Sequence, residues 1–426
     1  MSTEKQPALA GLVRGGDTQT EAVAITDFVF MARDISNAYL VTTGEGDLMV
    51  NTGFMDNADR NVALLAPHRT ALAPDRKAPL AFIVLTQSHA DHYGGVPEFL
   101  EPGTQVVGGP GYNEALADMN RLAPFFGPRT AKLWGSTMQR GSAPKQPPHV
   151  VPDILVDRRL TIELGGRRFE LISTPEGETV DSLTVWMPNE RIAFTGNLFG
   201  PVFLSMPFLC TLRGDKPRSV RAYLRSLETV RDLGAEILIT GHGEPIRGAA
   251  KIREDLDRMH GAVSYVRDYT LDGMIAGKDV HQLMREFTFP EELRIGEFHG
   301  KASWAVRTIW EEYSGWLHYE DGTTALYGVP RRSVDADLAE LAGGAARIAE
   351  RARAKLAAGQ SLEALHLVDV ALGADPNEAG AWSVRRDASQ QLLEASSGTN
   401  LSETMWLRSE IAACEAKLAE LVPVHH

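Results

Sequence analysis

Cysteine is almost missing from this chain. Only Cys210 and Cys414 occur in 426 residues, which leaves no disulfide framework, and two thiols so distant in sequence fit a reducing compartment. Positive charge is also short. With 43 Lys and Arg against 56 Asp and Glu, the formal net charge is −13, which argues against a general nucleic-acid binder but allows a local basic pocket for a small anion. Long apolar runs are absent as well. Residues Met1 to Thr20 lack the apolar core of a signal peptide. The longest apolar stretch, Leu198 to Leu212, is too short for a membrane helix and is broken by Gly200, Pro201 and Pro207. No membrane span is expected, and a cytoplasmic location is the default. Hydrophobic residues at 43% and charged residues at 23% describe a globular chain long enough for two or three domains.

Chemistry concentrates in Thr86-Gln87-Ser88-His89-Ala90-Asp91-His92-Tyr93-Gly94-Gly95. The preceding run Ala81 to Leu85 reads as a buried strand, and Val96 to Leu100 can open a helix, so the cluster sits in a strand-to-helix loop. Two imidazoles and a carboxylate within four residues suit a borderline metal ion such as zinc, and also iron or manganese. A lone His here would be read as part of a helix cap. The cluster His-x-Asp-His followed by two glycines favours metal binding, because unpaired charge and imidazole seldom gather without a task.

Around this loop the front half reads as strands and turns. Ala24 to Phe30 is β-rich, and Ala38 to Thr42 with Asp47 to Val50 flank Gly44-Glu45-Gly46 as a hairpin. Residues Arg60 to Leu72 have helical spacing. Tyr112 to His149 is the least regular segment, rich in Gly, Pro and basic residues including Arg121, Arg129, Lys132, Arg140 and Lys145. Such a segment is either a lid or a solvated surface insertion. Three further strands run into loops that can converge on one cleft: Phe169 to Ser173 into Thr174-Pro175-Glu176-Gly177-Glu178, Arg191 to Thr195 into Gly196-Asn197, and Glu236 to Thr240 into Gly241-His242-Gly243.

These residues resemble the metallo-β-lactamase superfamily, whose signature after a strand is Thr-His-x-His-x-Asp-His. Gln87 stands where its first His would be, and Asn51-Thr52-Gly53 stands for its usual Asp-x-Gly. The resemblance implies that the remaining ligands lie in the converging loops: Glu178 or its neighbour Glu176, Asn197 at the usual bridging carboxylate, and His242 as the last imidazole. Glu in the second loop and Thr211-Leu212-Arg213-Gly214 narrow the resemblance to the alkyl-sulfatase-like branch, in which the corresponding Arg grips the sulfate. A guanidinium fork at Arg213 suits a tetrahedral oxyanion or a carboxylate. The apolar run before Arg213 is either a wall for an amphiphilic anion or plain core. That branch also has a sulfate-binding His in the helix before its dimerisation domain, at a position matched here by Trp304.

Tyr313-Ser314-Gly315-Trp316-Leu317 and Trp406-Leu407-Arg408-Ser409-Glu410 resemble the dimerisation domain of the same branch. From Asp335 to Leu421 four amphipathic helices are expected, over Leu338 to Leu356, Leu362 to Leu372, Ala379 to Leu393 and Glu403 to Leu421. The middle two form a hairpin like one tetratricopeptide unit, which cannot cover its apolar face alone. The terminal His425-His426 carries no weight.

The sequence therefore predicts an α/β protein, a metallo-β-lactamase αββα sandwich followed by an all-α helical domain. The expected divisions are residues 1–250 for the catalytic domain, 251–330 for connecting helices and 331–426 for the helical dimerisation domain. The expected function is metal-dependent hydrolysis of an ester, a sulfate ester or similar, of an amphiphilic anion, by a homodimer with no nucleic-acid partner. Zinc is the expected cofactor, as one or two ions, with iron or manganese as alternatives, and it would lower the pKa of its bound water toward about 7. Asp91, His92 and His242, with Asn197 as a weak fourth ligand, form the better-preserved half of the site. His89, Glu178 and Gln87 form the depleted half, so about one tightly held ion per chain is expected. Arg213 would orient the substrate, and Asp91 could instead serve as a general base. An iron redox or lyase enzyme, or a binding protein with a decayed site, remain as alternatives.

Overall fold

The computed structural model describes residues 8–73, 76–138, 145–214 and 216–422. Arg140 and His425-His426 lie outside these residues. Among the described residues two compact units emerge: one holds residues 8–129 and 136–312, the other 130–135 and 313–422.

The first unit is built on two mixed sheets. In one, Val29–Ala32, Ala38–Thr42 and Asp47–Val50 pair antiparallel, and Asp47–Val50, Leu80–Val84, Gln105–Gly108 and Ile154–Leu155 then continue in parallel. In the other, Arg159–Leu164, Arg167–Ser173, Leu183–Met187 and Ile192–Phe194 form an antiparallel meander, and Ile192–Phe194 pairs in parallel with Ile237–Ile239. Side chains alternate across a strand, and the burial follows that period. Tyr39, Val41, Leu48 and Val50 join Phe169, Leu171, Val185 and Phe194 between the sheets. Their neighbours Leu40 and Met49 face outward onto Leu64, Leu65, Tyr93 and Leu116. On the far side, Trp186, Ala193 and Leu238 pack on Tyr223, Leu227, Met259, Val263, Val306 and Ile309 of three helices, Val220–Arg231, Ala249–Ile275 and Ala302–Ser314. The result is helix, sheet, sheet, helix, the αββα sandwich expected from the sequence.

Two sequence expectations need correction here. Residues 112–138 are helical, as Tyr112–Arg121 and Ala123–Met138 with Pro128 inside the second helix. Burial of Tyr112, Leu116 and Leu133 fixes these helices despite the Gly and Pro content. The run Leu198 to Leu212 forms no regular element. It serves mostly as core, since Leu198, Phe199, Met206 and Leu209 belong to the outer cluster.

The second unit contains five helices over residues 335–421 instead of four. The first expected helix is split because Gly343 and Gly344 adopt φ +85° and +107°, a region costly for any residue with a side chain. Ile348, Ala352, Leu356, Val368, Ala371, Val384 and Ala388 form the core of this unit. Small residues dominate it, which lets the helices approach closely. Among the described residues no helix is long and apolar enough to cross a membrane.

Candidate metal centre

Parallel pairing aligns the carboxyl ends of neighbouring strands, and there the candidate residues gather. Asn51 follows Asp47–Val50, the loop Thr86 to His92 follows Leu80–Val84, Asn197 follows Ile192–Phe194, and His242 follows Ile237–Ile239. Asp91, His92 and His242 each place one ligand-capable atom within 4.8 Å of the other two. His92 Nε2 lies 3.7 Å and His242 Nε2 3.9 Å from Asp91 Oδ2. The two imidazoles meet nearly at right angles, 6.1 Å between centroids.

The orientation of His92 is set from behind. Its Nδ1 faces Ser36 Oγ at 3.1 Å and Thr86 Oγ1 at 3.2 Å. Ser36 donates its own hydroxyl proton to the Gly241 carbonyl, so its lone pair can accept from His92 Nδ1–H. Asn51 accepts from the Thr86 backbone N–H at 2.9 Å, which turns its Nδ2 toward Thr86 Oγ1 and His92. With Ser36 Oγ or Thr86 Oγ1 accepting from Nδ1–H, the Nε2 lone pair points into the cleft, as a ligand's supporting hydrogen bonds should direct it. Burial holds His92 down to about 3, so the imidazole is neutral at pH 7, the form that binds metal. Burial also lowers His242, against the opposing pull of Asp91. For Asp91, burial pushes the carboxyl up, but the neighbouring imidazoles outweigh it and hold it below the usual range.

A divalent metal fits this group on the chemistry of the donors. His92 Nε2 and Asn197 Oδ1 are buried without a hydrogen-bond partner, a costly state for two lone pairs unless something accepts them. Asn197 Oδ1 crowds against Gly241, where a Cβ would collide with it, and a Cβ there would also lie 3.0 Å from His92 Cε1. Glycine at 241 is what lets the amide approach the imidazole.

Gln87, His89 and Glu178 occupy the other side. The Gln87 amide lies 2.9 Å from His89 Nδ1, and Glu178 Oε1 lies 4.0 Å from the same nitrogen. Both glutamates of the second loop line the adjoining cleft, together with Ser88, Met119, Leu122, Phe126, Val180, Lys216 and Arg218. Arg213 donates to His89 Nε2 at 3.2 Å. It sits in a turn closed by a Gly214 N–H to Thr211 carbonyl bond, with Gly214 at φ +95°.

Sequence reasoning missed two basic groups. Arg218 is almost wholly buried, donates to the Phe208 carbonyl and pairs with Glu178 Oε1 at 3.3 Å. His299 is held down to about 3 by burial first, and then by the positive charge of Arg218 and Arg213 and by His242. Trp304, the residue matched from sequence to a sulfate-binding His, instead stacks on Phe208 at 5.4 Å, and Lys301 lies over its ring. His299 meets the same Phe208 ring edge-on at 4.8 Å. His299 stands just ahead of that helix, in Phe298-His299-Gly300, and that flanking position was the available signal.

Residues 31–242 match the family model described as metallo-beta-lactamase superfamily, and residues 279–409 match that described as alkyl sulfatase dimerisation. The chain belongs to the metallo-beta-lactamase superfamily, in its alkyl-sulfatase-like branch. It is 24% identical over 405 residues to a linear primary-alkylsulfatase of Pseudomonas sp., covering 89% of this chain and 74% of that protein. It is 24% identical over 412 residues to an alkyl/aryl-sulfatase of Saccharomyces cerevisiae, covering 88% and 62%. A stereoselective inverting sec-alkylsulfatase from Pseudomonas sp. has the same fold, with TM-score 0.81 at 22% identity, over 99% of this chain and 70% of that one. An (R)-specific secondary-alkylsulfatase of Pseudomonas sp. is 24% identical over 348 residues, 74% of this chain but 51% of the relative. The chain thus spans about half to three quarters of the length of these relatives.

Proposed function

We propose that this chain is a metal-dependent hydrolase that cleaves an ester, a sulfate ester or similar, of an amphiphilic anionic small molecule. The observation that carries this reading is adjacency. The Asp91, His92 and His242 group lies beside a basic group of Arg213, Arg218 and His299, and the relatives named above are alkylsulfatases. Asp91, His92 and His242 would hold the ion, with Asn197 Oδ1 as a weak fourth donor. Zinc suits this set, and iron or manganese are compatible with it. When bound, such an ion supplies Lewis acidity and an acidified water.

The chain's own residues do the rest. Asp91, held ionised by its neighbours, could instead serve as general base if it leaves the ion, taking a proton from a reacting water. Arg213 presents a planar pair of N–H donors that fixes a sulfate, phosphate or carboxylate by two charge-assisted bonds. Met119, Leu122, Phe126 and Val180 along the adjoining cleft would cover the aliphatic end of the substrate and exclude water from it. The test is a panel of long-chain sulfates, phosphates and carboxylate-bearing esters or lactones, assayed with metal-loaded, chelator-treated and reloaded protein. Turnover of an anionic ester that chelation abolishes and metal restores is expected. Turnover that survives complete removal of metal, or none on any anionic ester, would overturn the reading.

We also propose a homodimer. The alkyl sulfatase dimerisation family matches 279–409, and within the second unit Trp316, Tyr319, Tyr327, Val329 and Leu341 are each more than half exposed, apolar side chains that a second copy could cover. Light scattering should give the mass of two chains, and Trp316→Ser with Tyr319→Ser should shift the population toward one. A single-chain mass for the unaltered protein would count against the dimer.

A further inference from the structure

This inference rests on the metal-dependent reading above and concerns what fills the other half of the cleft. His89 and Glu178, the strongest candidate ligands there, already have protein partners. Arg213 can only donate, so His89 Nε2, 3.2 Å away, must be the acceptor. A neutral imidazole carries one proton, which must then sit on Nδ1. The Gln87 Nε2 group 2.9 Å from Nδ1 cannot also donate to it, so the amide must turn over and offer Oε1 to Nδ1–H. Both ring nitrogens of His89 are then engaged, and neither has a lone pair to give an ion. The Glu178 carboxylate has its charge matched by Arg218, which pairs with Oε1 at 3.3 Å. Arg218 cannot readily leave, since its backbone N–H bonds the Leu209 carbonyl at 2.8 Å and its guanidinium bonds the Phe208 carbonyl.

The contrast with the opposite half decides the matter. There, His92 Nε2 and Asn197 Oδ1 lack partners. We infer that the two guanidinium groups of Arg213 and Arg218 stand in for a second cation: the chain holds one metal ion, in the Asp91, His92 and His242 half, and the His89 and Glu178 half is closed to metal. Fixed guanidinium charge serves an anion as an ion would, and it persists when metal is removed.

Metal content distinguishes the possibilities. The full-length protein is equilibrated with excess zinc or manganese, freed of loosely held ion by gel filtration, and its metal measured by elemental analysis against protein quantified by amino-acid analysis. One equivalent is expected in the unaltered protein and in Glu178→Gln, and none in Asp91→Asn or His242→Gln, with circular dichroism confirming the fold of each. The manganese form should give the paramagnetic resonance of an isolated ion. Two tightly held equivalents, a coupled manganese pair, or loss of the ion in Glu178→Gln would overturn the inference and leave metal-dependent hydrolysis standing. No bound metal in the unaltered protein would remove both.

Discussion

The two halves of the cleft share one loop and differ in how their polar atoms are satisfied. Asp91 and His92 lie within five residues of His89 and Gln87, yet His92 directs an unpartnered nitrogen inward while His89 is bonded on both sides. The difference arises from what stands behind each imidazole. The hydroxyl oxygens of Ser36 and Thr86 face Nδ1 of His92 from outside the cleft. The partners of His89 come from within it. On the proposed reading, one half gives electron pairs to a cation and the other presents cations to an anion.

Removing a ligand from the first half should produce the largest effect. His242→Ala leaves Asp91 and His92 without their third donor, and since loss of a supporting residue alone weakens metal binding by roughly 10- to 100-fold, loss of the ligand itself should exceed about 100-fold. Competition with a chromophoric chelator measures this. Activity on every substrate should fall with occupancy, neutral or anionic. An unchanged affinity would place the ion elsewhere.

Arg213→Ala addresses the second half and should act on substrate, not metal. A charge-assisted bidentate contact is worth about 1.5 to 3 kcal/mol, so kcat/KM for the best anionic ester should drop by roughly 10- to 100-fold, with metal content unchanged and neutral esters little affected. Equal losses on neutral and anionic esters would break the division of labour between the halves.

Much of this contrast was readable in the sequence where the signal is local. Asp91, His92 and the converging strand ends carrying Asn197 and His242 follow from a short motif and from the periodicity of the strands, and Gln87 marked the second half as depleted. The partners that explain the depletion were not readable, because they act through space. Arg218 reaches Glu178 across 40 residues, and Ser36 reaches His92 across 56. His299 was not legible because the family pattern carries its His inside the helix, whereas this one precedes Ala302–Ser314 and reaches the arginines only through space. The two helices over 112–138 were missed for a related reason. Gly127, Pro128 and Gly135 speak against a helix locally, and tertiary burial of Leu116 and Leu133 prevails.

A conservative change can sharpen the first half. Asn51→Asp would place a carboxylate oxygen against His92 Nδ1 in place of the amide nitrogen now 3.0 Å away. A carboxylate accepting Nδ1–H raises the basicity of the opposite nitrogen, so the ion should bind about tenfold more tightly, at the low end of what supporting residues contribute. Weaker binding would show that Ser36 and Thr86 already satisfy Nδ1 and that an added charge is merely buried.

The smallest effect should come from His299, and it tests whether the anion side holds a neutral imidazole. Burial, with Arg218 and Arg213 adding to it, holds this His down to about 3, whereas an unfolded His titrates near 6.5. Between these values the unfolded chain binds a proton that the folded chain does not, so stability rises with pH across that window. The contribution is complete above about 6.5 and is lost progressively as pH falls toward 3. His92, also held to about 3, acts in the same direction, so replacing one His should reduce the acid sensitivity without abolishing it. Urea unfolding of metal-free protein at pH 7.5 and pH 5 should show a smaller fall in midpoint for His299→Gln than for the unaltered chain, by less than about tenfold in the folding constant per pH unit. If the two fall equally, His299 takes up its proton in the folded state as readily as in the unfolded one. The anion side would then carry a third positive charge at low pH, and anion binding should tighten there instead of staying level.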